Sequence, residues 1–269
     1  MLGDVAFGQY YPANSFVHKL DARIKILMLI AYIVLVFVVN NFYGYLVVCS
    51  FLLIATLVSK VPLLSMLKSI KAVIVIILLT VILNIFFYKP ENPTYLFWII
   101  SKEALYFSAF MALRLMTLVL GSMLLNLTTT PVAITDGMES LLKPLTYLKV
   151  PVREFGLVMS IALSFIPILM GEVERIMLAQ KARGANFEEG NIFKRAKALL
   201  PVLVPLLLSA FRRAEELGDA MDSRCYRSSG KHTKFKKLKM GWRDLVGSLF
   251  FVGCFVGVVL LNNLLGGFL

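Results

Sequence analysis

The fold is decided by IKILMLIAYIVLVFVV, Ile24–Val39, and by YGYLVVCSFLLIATLV, Tyr43–Val58, which follows it after a short turn. Both runs are almost entirely apolar, and a helix that spans a bilayer needs roughly 20 mainly apolar residues. Asn40, Asn41 and Gly44 suit the tight turn that joins the runs. Because each run is slightly short, we expect these helices to tilt little or to lie in locally thinned bilayer.

Three further apolar runs extend this pattern along the chain: Ala72–Tyr88, Ala104–Leu127 and Leu245–Leu265. Of all residues, 59% are hydrophobic and only 16% are charged, whereas soluble domains carry about 25% charged residues. The runs and the composition exclude an ordinary soluble domain. They predict an all-α polytopic membrane protein with about five transmembrane helices.

Basic residues predict the orientation, because the cytoplasmic loops of membrane proteins are enriched in Lys and Arg. They precede the first run, lie between the second and third, and fill the central region, where Lys231–Arg243 contains no acidic residue. The segments Asn40–Gly44 and Lys89–Glu103 are poor in them. We therefore expect a multi-pass plasma-membrane protein with a cytoplasmic N-terminus and an external C-terminus.

The central region between the last two runs has a different pattern. Phe155–Met170 and Leu199–Phe211 are apolar blocks that continue without a break into charged segments, whose apolar residues recur every three or four positions. Another amphipathic helix, Ala133–Leu148, is expected after Thr130-Pro131. We expect three parts: membrane helices one to four in residues 1–127, long amphipathic cytoplasmic helices in 128–243, and the last membrane helix in 244–269.

The two charged segments end in similar triplets, Ala182-Arg183-Gly184 and Ser223-Arg224-Cys225. Small neighbours let another protein approach closely, and a planar guanidinium can form two hydrogen bonds to one carboxylate. Two such ends would suit two similar partners or the halves of a dimer. In the alternative interpretation both arginines only complement the negative end of a helix dipole. A single arginine at a helix end is common, so the repetition is what favours binding.

Other charged residues have simpler interpretations. Arg114 interrupts the fourth run, where a charge is costly. We expect it to pair with a polar group inside the bundle or to reach the interface, and a role in coupling between subunits is a further hypothesis. Asp21 and Arg23 are expected to form a local pair, and Arg212 and Glu216 are spaced to meet on one helix.

The chain shows no sign of a metal site, a disulfide framework or an ATP site. Its three cysteines and two histidines are widely separated and form no CxxC pair. The only Gly-Lys pair, Gly230-Lys231, lacks the earlier glycine of a phosphate-binding loop. The Lys-rich segment around it precedes a span, which favours a solvated or lipid-facing loop over a nucleic-acid site.

Two other functions agree less well with the residues. A secondary carrier or channel usually places carboxylates in the membrane, and the first three runs contain none. A membrane-embedded enzyme would need paired carboxylates with a nucleophile or base. The acidic candidates are interleaved with arginines, which favours ion pairing; they are Glu172, Glu174, Glu215, Glu216 and Asp219. Neither alternative is favoured.

Over nearly its whole length the chain resembles the transmembrane T component of energy-coupling factor (ECF) transporters, the CbiQ-like family. Ser15–Lys25 resembles the N-terminal signature of that family, with His18, Asp21 and Arg23 as the matching residues and Ala22 where the family usually has Pro. Ala-Arg-Gly at 182–184 is similar to the family's first arginine motif. The triplet at 223–225 is similar to the second, with Ser and Cys in place of Ala and Gly.

The resemblance implies an assembly. In the family the two arginines end crossed coupling helices and dock into two cytoplasmic ABC-type ATPases, which bind ATP and Mg. A membrane S component binds the substrate, which is a vitamin or a metal ion such as cobalt or nickel. For this chain the resemblance implies no catalytic residue, no cofactor bound directly and no nucleic acid partner. The implied docking residues are Ala182, Arg183, Gly184, Ser223, Arg224 and Cys225.

Overall fold

The computed structural model describes residues 10–87, 95–97, 100–187, 191–226 and 240–265, and helices account for most of them. In chain order the helices are α1 (Ala22–Val38), α2 (Phe42–Ser59), α3 (Leu63–Phe87), α4 (Lys102–Thr128), α5 (Pro131–Leu142), a 3-10 helix (Lys143–Leu148), α6 (Val152–Ala182), α7 (Ile192–Ser223) and α8 (Trp242–Leu265). They form two compact units. Residues 10–141 and 240–265 of the described ranges form the membrane unit, and residues 142–187 with 191–226 form the α6–α7 unit.

The prediction of an all-α polytopic membrane protein is confirmed. Four predicted spans lie within three residues of the ends of α1, α2, α4 and α8. By length and composition α2, α4, α6 and α8 could each cross a membrane. The helix α1 has 17 residues, and the apolar part of α3, Val73–Phe87, is also short. The apolar stretch of α6, which was predicted to be cytoplasmic, is therefore long enough to span a bilayer as well.

Two further predicted helices differ from the structure in their extent or type. The third span was predicted at Ala72–Tyr88, and the apolar part of α3, Val73–Phe87, agrees with it. The helix itself begins earlier, at Leu63, and Tyr88 lies outside the described residues. Lys68 and Lys71 interrupt the apolar run without ending the helix, because Lys is a good helix former. The helix predicted at Ala133–Leu148 begins earlier, at Pro131, and gives way to the 3-10 helix at Lys143. The proline at position 144 explains that change, because its ring clashes with a carbonyl one turn earlier.

In the membrane unit α4 packs against α1, α2 and α3, while α8 packs against α1 and α2. The fully buried side chains of this core include Leu35, Val36, Tyr45 and Val48. The Tyr32 ring lies over Gly121, where a Cβ atom would collide with it. Only glycine at this position therefore lets α1 and α4 approach as closely as they do.

The turn between α1 and α2 has the predicted tight form. Gly44 lies so close to Val39 that a Cβ atom on the glycine would sit 2.8 Å from Val39 Cγ1. The segment before α4 contains a short antiparallel ribbon in which β1 (Tyr95–Phe97) pairs with β2 (Ile100–Ser101). Ser101 also caps α4, since its Oγ accepts the backbone N–H of Ala104 at 3.1 Å.

The α6–α7 unit consists of two long helices that pack against each other, preceded by the 3-10 helix. Pro167 lies inside α6 without ending it, and two further prolines lie inside α7. The predicted pair Arg212–Glu216 is not formed among the described residues. Instead the neighbouring Arg213 donates from Nη2 to Oε2 of Glu172 on α6 at 2.8 Å. This contact joins α6 to α7 across the helix pair.

Candidate functional site

The first arginine triplet forms the end of α6. The backbone N–H of Gly184 donates to the Lys181 carbonyl, and that of Ala185 donates to the Gln180 carbonyl, both at 3.0 Å. Gly184 is left-handed, with φ +87°. These two hydrogen bonds and the left-handed glycine form a Schellman motif, which satisfies carbonyls that the helix leaves free. Arg183 is the last residue before the reversal and is exposed.

The second triplet forms the same motif at the end of α7. The backbone N–H of Cys225 donates to the Asp222 carbonyl at 2.9 Å, and that of Tyr226 donates to the Met221 carbonyl at 3.0 Å. Cys225 takes the left-handed position with φ 53°. The small third residue of each triplet is thus the residue that reverses the chain. Arg183 and Arg224 occupy equivalent positions in two copies of one motif.

The side chains of these two arginines are available for contact. Within the described ranges neither guanidinium has a hydrogen bond or an ion pair, and both residues are exposed. Because backbone N–H groups already satisfy the terminal carbonyls, the arginines are not needed as caps. A planar guanidinium beside small residues can then bind a carboxylate of another protein with two hydrogen bonds. This geometry favours the binding interpretation over the helix-dipole interpretation.

Glu172 and Arg213 join α6 to α7 away from the two ends. Glu172 follows the apolar block Phe155–Met170 on α6. The hydrogen bond from Arg213 lowers the pKa of Glu172 below its ordinary value, and the positive charge of Arg213 acts in the same direction. The carboxylate therefore stays ionised at neutral pH, and the pair links the helices that carry the two triplets.

The three residues of the N-terminal signature lie in the membrane unit. His18 belongs to the segment of residues 10–21 before α1, which we call the strap. The His18 backbone N–H donates to Ser15 Oγ at 3.3 Å, and Ser15 Oγ lies 2.7 Å from His18 Nδ1. Nε2 lies 2.9 Å from the Tyr11 carbonyl. In the neutral imidazole, Nε2–H donates to the carbonyl and Nδ1 accepts the hydroxyl of Ser15. The Tyr11 N–H donates to the Leu127 carbonyl at 3.0 Å, which ties the strap to α4.

Asp21 and Arg23 form the predicted local pair, in which the side chain of Asp21 bonds to the backbone of Arg23. Asp21 is the N-cap of α1, and its Oδ1 accepts the backbone N–H of Arg23 at 3.0 Å. Asp244, in the first turn of α8, accepts the Asp21 N–H on Oδ1 at 2.7 Å and the Gly241 N–H on Oδ2 at 2.8 Å. One buried carboxylate thus joins the N-termini of α1 and α8.

Asp244 and Lys25 are structural residues that the sequence interpretation missed. Lys25 Nζ is buried and donates to the Thr128 carbonyl at 2.9 Å and to Thr129 Oγ1 at 3.1 Å, at the end of α4. An acid three residues after Gly241, at the start of an apolar run, is half of a capping-box pattern and could have been recognised. Its distant partner, the backbone N–H of Asp21, could not have been recognised from the sequence.

Arg114 shows the first of the two arrangements expected for it. Nε donates to Tyr45 Oη at 3.1 Å, and Nη2 donates to the Val39 carbonyl at 3.2 Å, just beyond the end of α1. The guanidinium carbon lies 5.1 Å from the centroid of the Phe110 ring, within the range of cation–π attraction. These contacts describe a packing role, and a role in subunit coupling stays a prediction.

Comparisons with known proteins agree with the resemblance. Residues 13–234 match the family model CbiQ, described as cobalt transport protein. The energy-coupling factor transporter transmembrane protein EcfT of Clostridium kluyveri is 48% identical over 252 residues, covering 93% of each chain. The protein of the same name from Thermosediminibacter oceani is 45% identical over 250 residues, 90% of this chain and 92% of its own. That from Bacillus subtilis is 42% identical over 247 residues, 91% and 93% respectively.

We expect Asp244→Ala to destabilise the membrane unit, because the buried N–H of Asp21 loses its acceptor, which costs about 1–3 kcal/mol. The Asp244→Asn variant keeps one acceptor oxygen, and its stability should lie between those of Asp244→Ala and wild type. The measurement is the melting temperature of the chain in detergent. Asp219→Ala, at an exposed acid on α7, is the control. Equal melting temperatures for Asp244→Ala and Asp219→Ala would contradict the double-cap interpretation.

The two helix ends should respond in opposite directions to changes at the left-handed residue. Gly184→Ala places a Cβ in a left-handed conformation, at a cost of about 1 kcal/mol, while Cys225→Gly removes such a cost. Hydrogen–deuterium exchange of the last turn of each helix should therefore quicken in the first variant and slow in the second, each by roughly fivefold. Exchange that changes in the same direction in both variants would rule out a shared motif.

Proposed function

Because this chain belongs to the CbiQ family and is a transmembrane T component of an ECF transporter, we propose that it couples two cytoplasmic ATPases to a substrate-binding S component. The ATPases would bind ATP and Mg, and this chain would pass their motion to the S component in the membrane. The transported substrate would be a vitamin or a metal ion chosen by that S component. The division into 1–127, 128–243 and 244–269 is part of this proposal.

The observation that carries the proposal is the repetition of one helix end. Arg183 and Arg224 occupy the same position in two Schellman motifs, and both are exposed without partners in the described part of the chain. Two equivalent arginines would fit equivalent acidic grooves on two similar ATPase subunits. A carboxylate in such a groove would accept two hydrogen bonds from each guanidinium.

The contact between Glu172 and Arg213 supports a mechanical role. The two side chains join α6 to α7 at 2.8 Å, so force applied at one triplet reaches the helix that carries the other. Closing of the ATPase pair would displace both triplets together, and the long helices would carry that displacement towards the S component. Pairs of partly exposed charges contribute little stability, typically about 0–1 kcal/mol, so their contribution here is to alignment.

We expect the variants Arg183→Ala and Arg224→Ala to weaken binding of the ATPases, and the double variant to abolish it. Truncating one partner of a buried charged contact typically costs about 2–5 kcal/mol, so each single change should reduce affinity by at least roughly tenfold. The measurement is co-purification of the ATPases with the tagged chain from membranes. Arg183→Lys keeps the charge but not the planar fork, and should retain part of the binding.

The controls are Arg153→Ala on α6 and Arg212→Ala on α7, which remove exposed arginines away from the triplets. Both should retain the ATPases as wild type does. If a folded wild-type chain never retains an ATPase, the coupling proposal fails and the alternative of a stand-alone carrier returns. If the double variant retains ATPases fully, coupling stands but the two arginines are not its contacts.

The same proposal places the N-terminus and the α6–α7 unit in the cytoplasm. Cys225 is exposed, whereas Cys49 and Cys254 lie partly buried in α2 and α8. In a Cys49→Ser, Cys254→Ser background expressed without ATPases, a membrane-impermeant maleimide should therefore label Cys225 in inside-out vesicles and not in intact cells. A cysteine introduced at Tyr43, exposed at the start of α2, should show the opposite pattern. Labelling of Cys225 from outside would invert the proposed orientation.

A further inference from the structure

The membrane unit contains an open apolar cavity of about 360 Å³, bordered by the strap before α1 and by helices α1, α2, α4 and α8. Its interior is lined by buried side chains that include Leu52 and Phe251. Its volume lies within the range of small-molecule binding sites. A void of this kind that stayed empty would deprive its lining of dispersion contacts.

The exposed residues that line the cavity are all apolar. They are between 36% and 49% exposed: Phe16, Ile54, Val58, Val246 and Phe250. In a membrane protein, such a rim faces hydrocarbon. The medium that has access to the cavity is therefore the lipid of the bilayer.

The few polar groups that line the cavity are already used within the protein. Lys25 Nζ donates to the Thr128 carbonyl, to Thr129 Oγ1 and, at 3.5 Å, to the His18 carbonyl. Tyr32 Oη donates to the Thr117 carbonyl at 2.7 Å. Thr128 Oγ1 donates to the Leu124 carbonyl at 2.8 Å. No donor among these remains to orient a polar solute, so a vitamin or a hydrated metal ion does not match this lining, whereas a hydrocarbon chain does.

We propose that this cavity binds one acyl chain of a membrane phospholipid, which enters between the apolar rim residues and packs among α1, α2, α4 and α8. The strap residues Phe16, Val17 and Leu20 line one side of the cavity and would cover the acyl chain there. The lipid would then be part of the packed membrane unit rather than of the surrounding solvent. This inference requires that the membrane unit lies in a bilayer, but it does not depend on coupling to ATPases.

The test uses the full chain in vesicles of phosphatidylethanolamine and phosphatidylglycerol, with a minor fraction of phosphatidylglycerol carrying a photoreactive diazirine on its acyl chain. After irradiation, mass spectrometry compares cross-links at the interior residues Met28 and Leu124 with those at Leu46, which is exposed on α2. The ratio of interior to surface cross-links does not depend on protein yield. In wild type both kinds of cross-link should be found.

The variant Ala55→Phe places a ring among the lining residues and should lower the ratio by roughly tenfold, since packed interiors leave no room for both. Val58→Phe, at the rim, should lower it as well, and its exposure makes it easier for the fold to accept. Leu57→Phe is the matched control, because Leu57 is exposed on the same helix and does not line the cavity; its ratio should equal that of wild type.

Two results would overturn the inference. One is wild type cross-linked only at Leu46, which would show that lipid does not enter. The other is an equal ratio in Ala55→Phe, Val58→Phe and Leu57→Phe, which would show that the interior cross-links do not come from this cavity. Melting temperatures of the three variants establish that each is folded, so that a lowered ratio reports occupancy.

Discussion

The membrane unit depends on one constraint: backbone groups at helix ends must find partners where water is scarce. Asp244 meets it for two N-termini at once, because its two oxygens accept the N–H groups of Asp21 and Gly241. Lys25 meets it for the end of α4, and Arg114 for the segment that follows α1. Charged side chains therefore serve in the membrane unit as ties between helices, which offsets the cost of placing them there.

The α6–α7 unit meets the same constraint in a different way. At the ends of α6 and α7 the backbone itself satisfies the last carbonyls, through Gly184 in one case and Cys225 in the other. The side chains of Arg183 and Arg224 are therefore not needed to satisfy these carbonyls. In the membrane unit Lys25 and Arg114 are held by hydrogen bonds of the fold, whereas Arg183 and Arg224 at the two helix ends stay exposed. This contrast is the structural reason for proposing that these two arginines act on partners.

The apolar side chains also divide into those that the fold covers and those that it leaves exposed. The core around Tyr32, Leu35 and Tyr45 is closed by direct helix contacts, such as the ring of Tyr32 over Gly121. The neighbouring cavity remains open through an apolar rim, and its polar groups are saturated. Only about 6% of the apolar stretch of α6 is buried within the protein. Within the described part of the chain, the cavity rim and the apolar stretch of α6 thus remain largely uncovered.

The sequence by itself determined the fold class, most helix bounds and the position of both arginine triplets, because run length, hydrophobic period and helix-end chemistry are local properties. Only the tertiary structure decided what joins the elements. Asp244 lies 223 positions from Asp21. Arg213 bonds to Glu172 on another helix, whereas the sequence spacing indicated a pair of Arg212 and Glu216 within one helix. Such partners are chosen by the packing of distant segments, and no local pattern records them. The cavity has the same origin, since its lining comes from four helices and a strap.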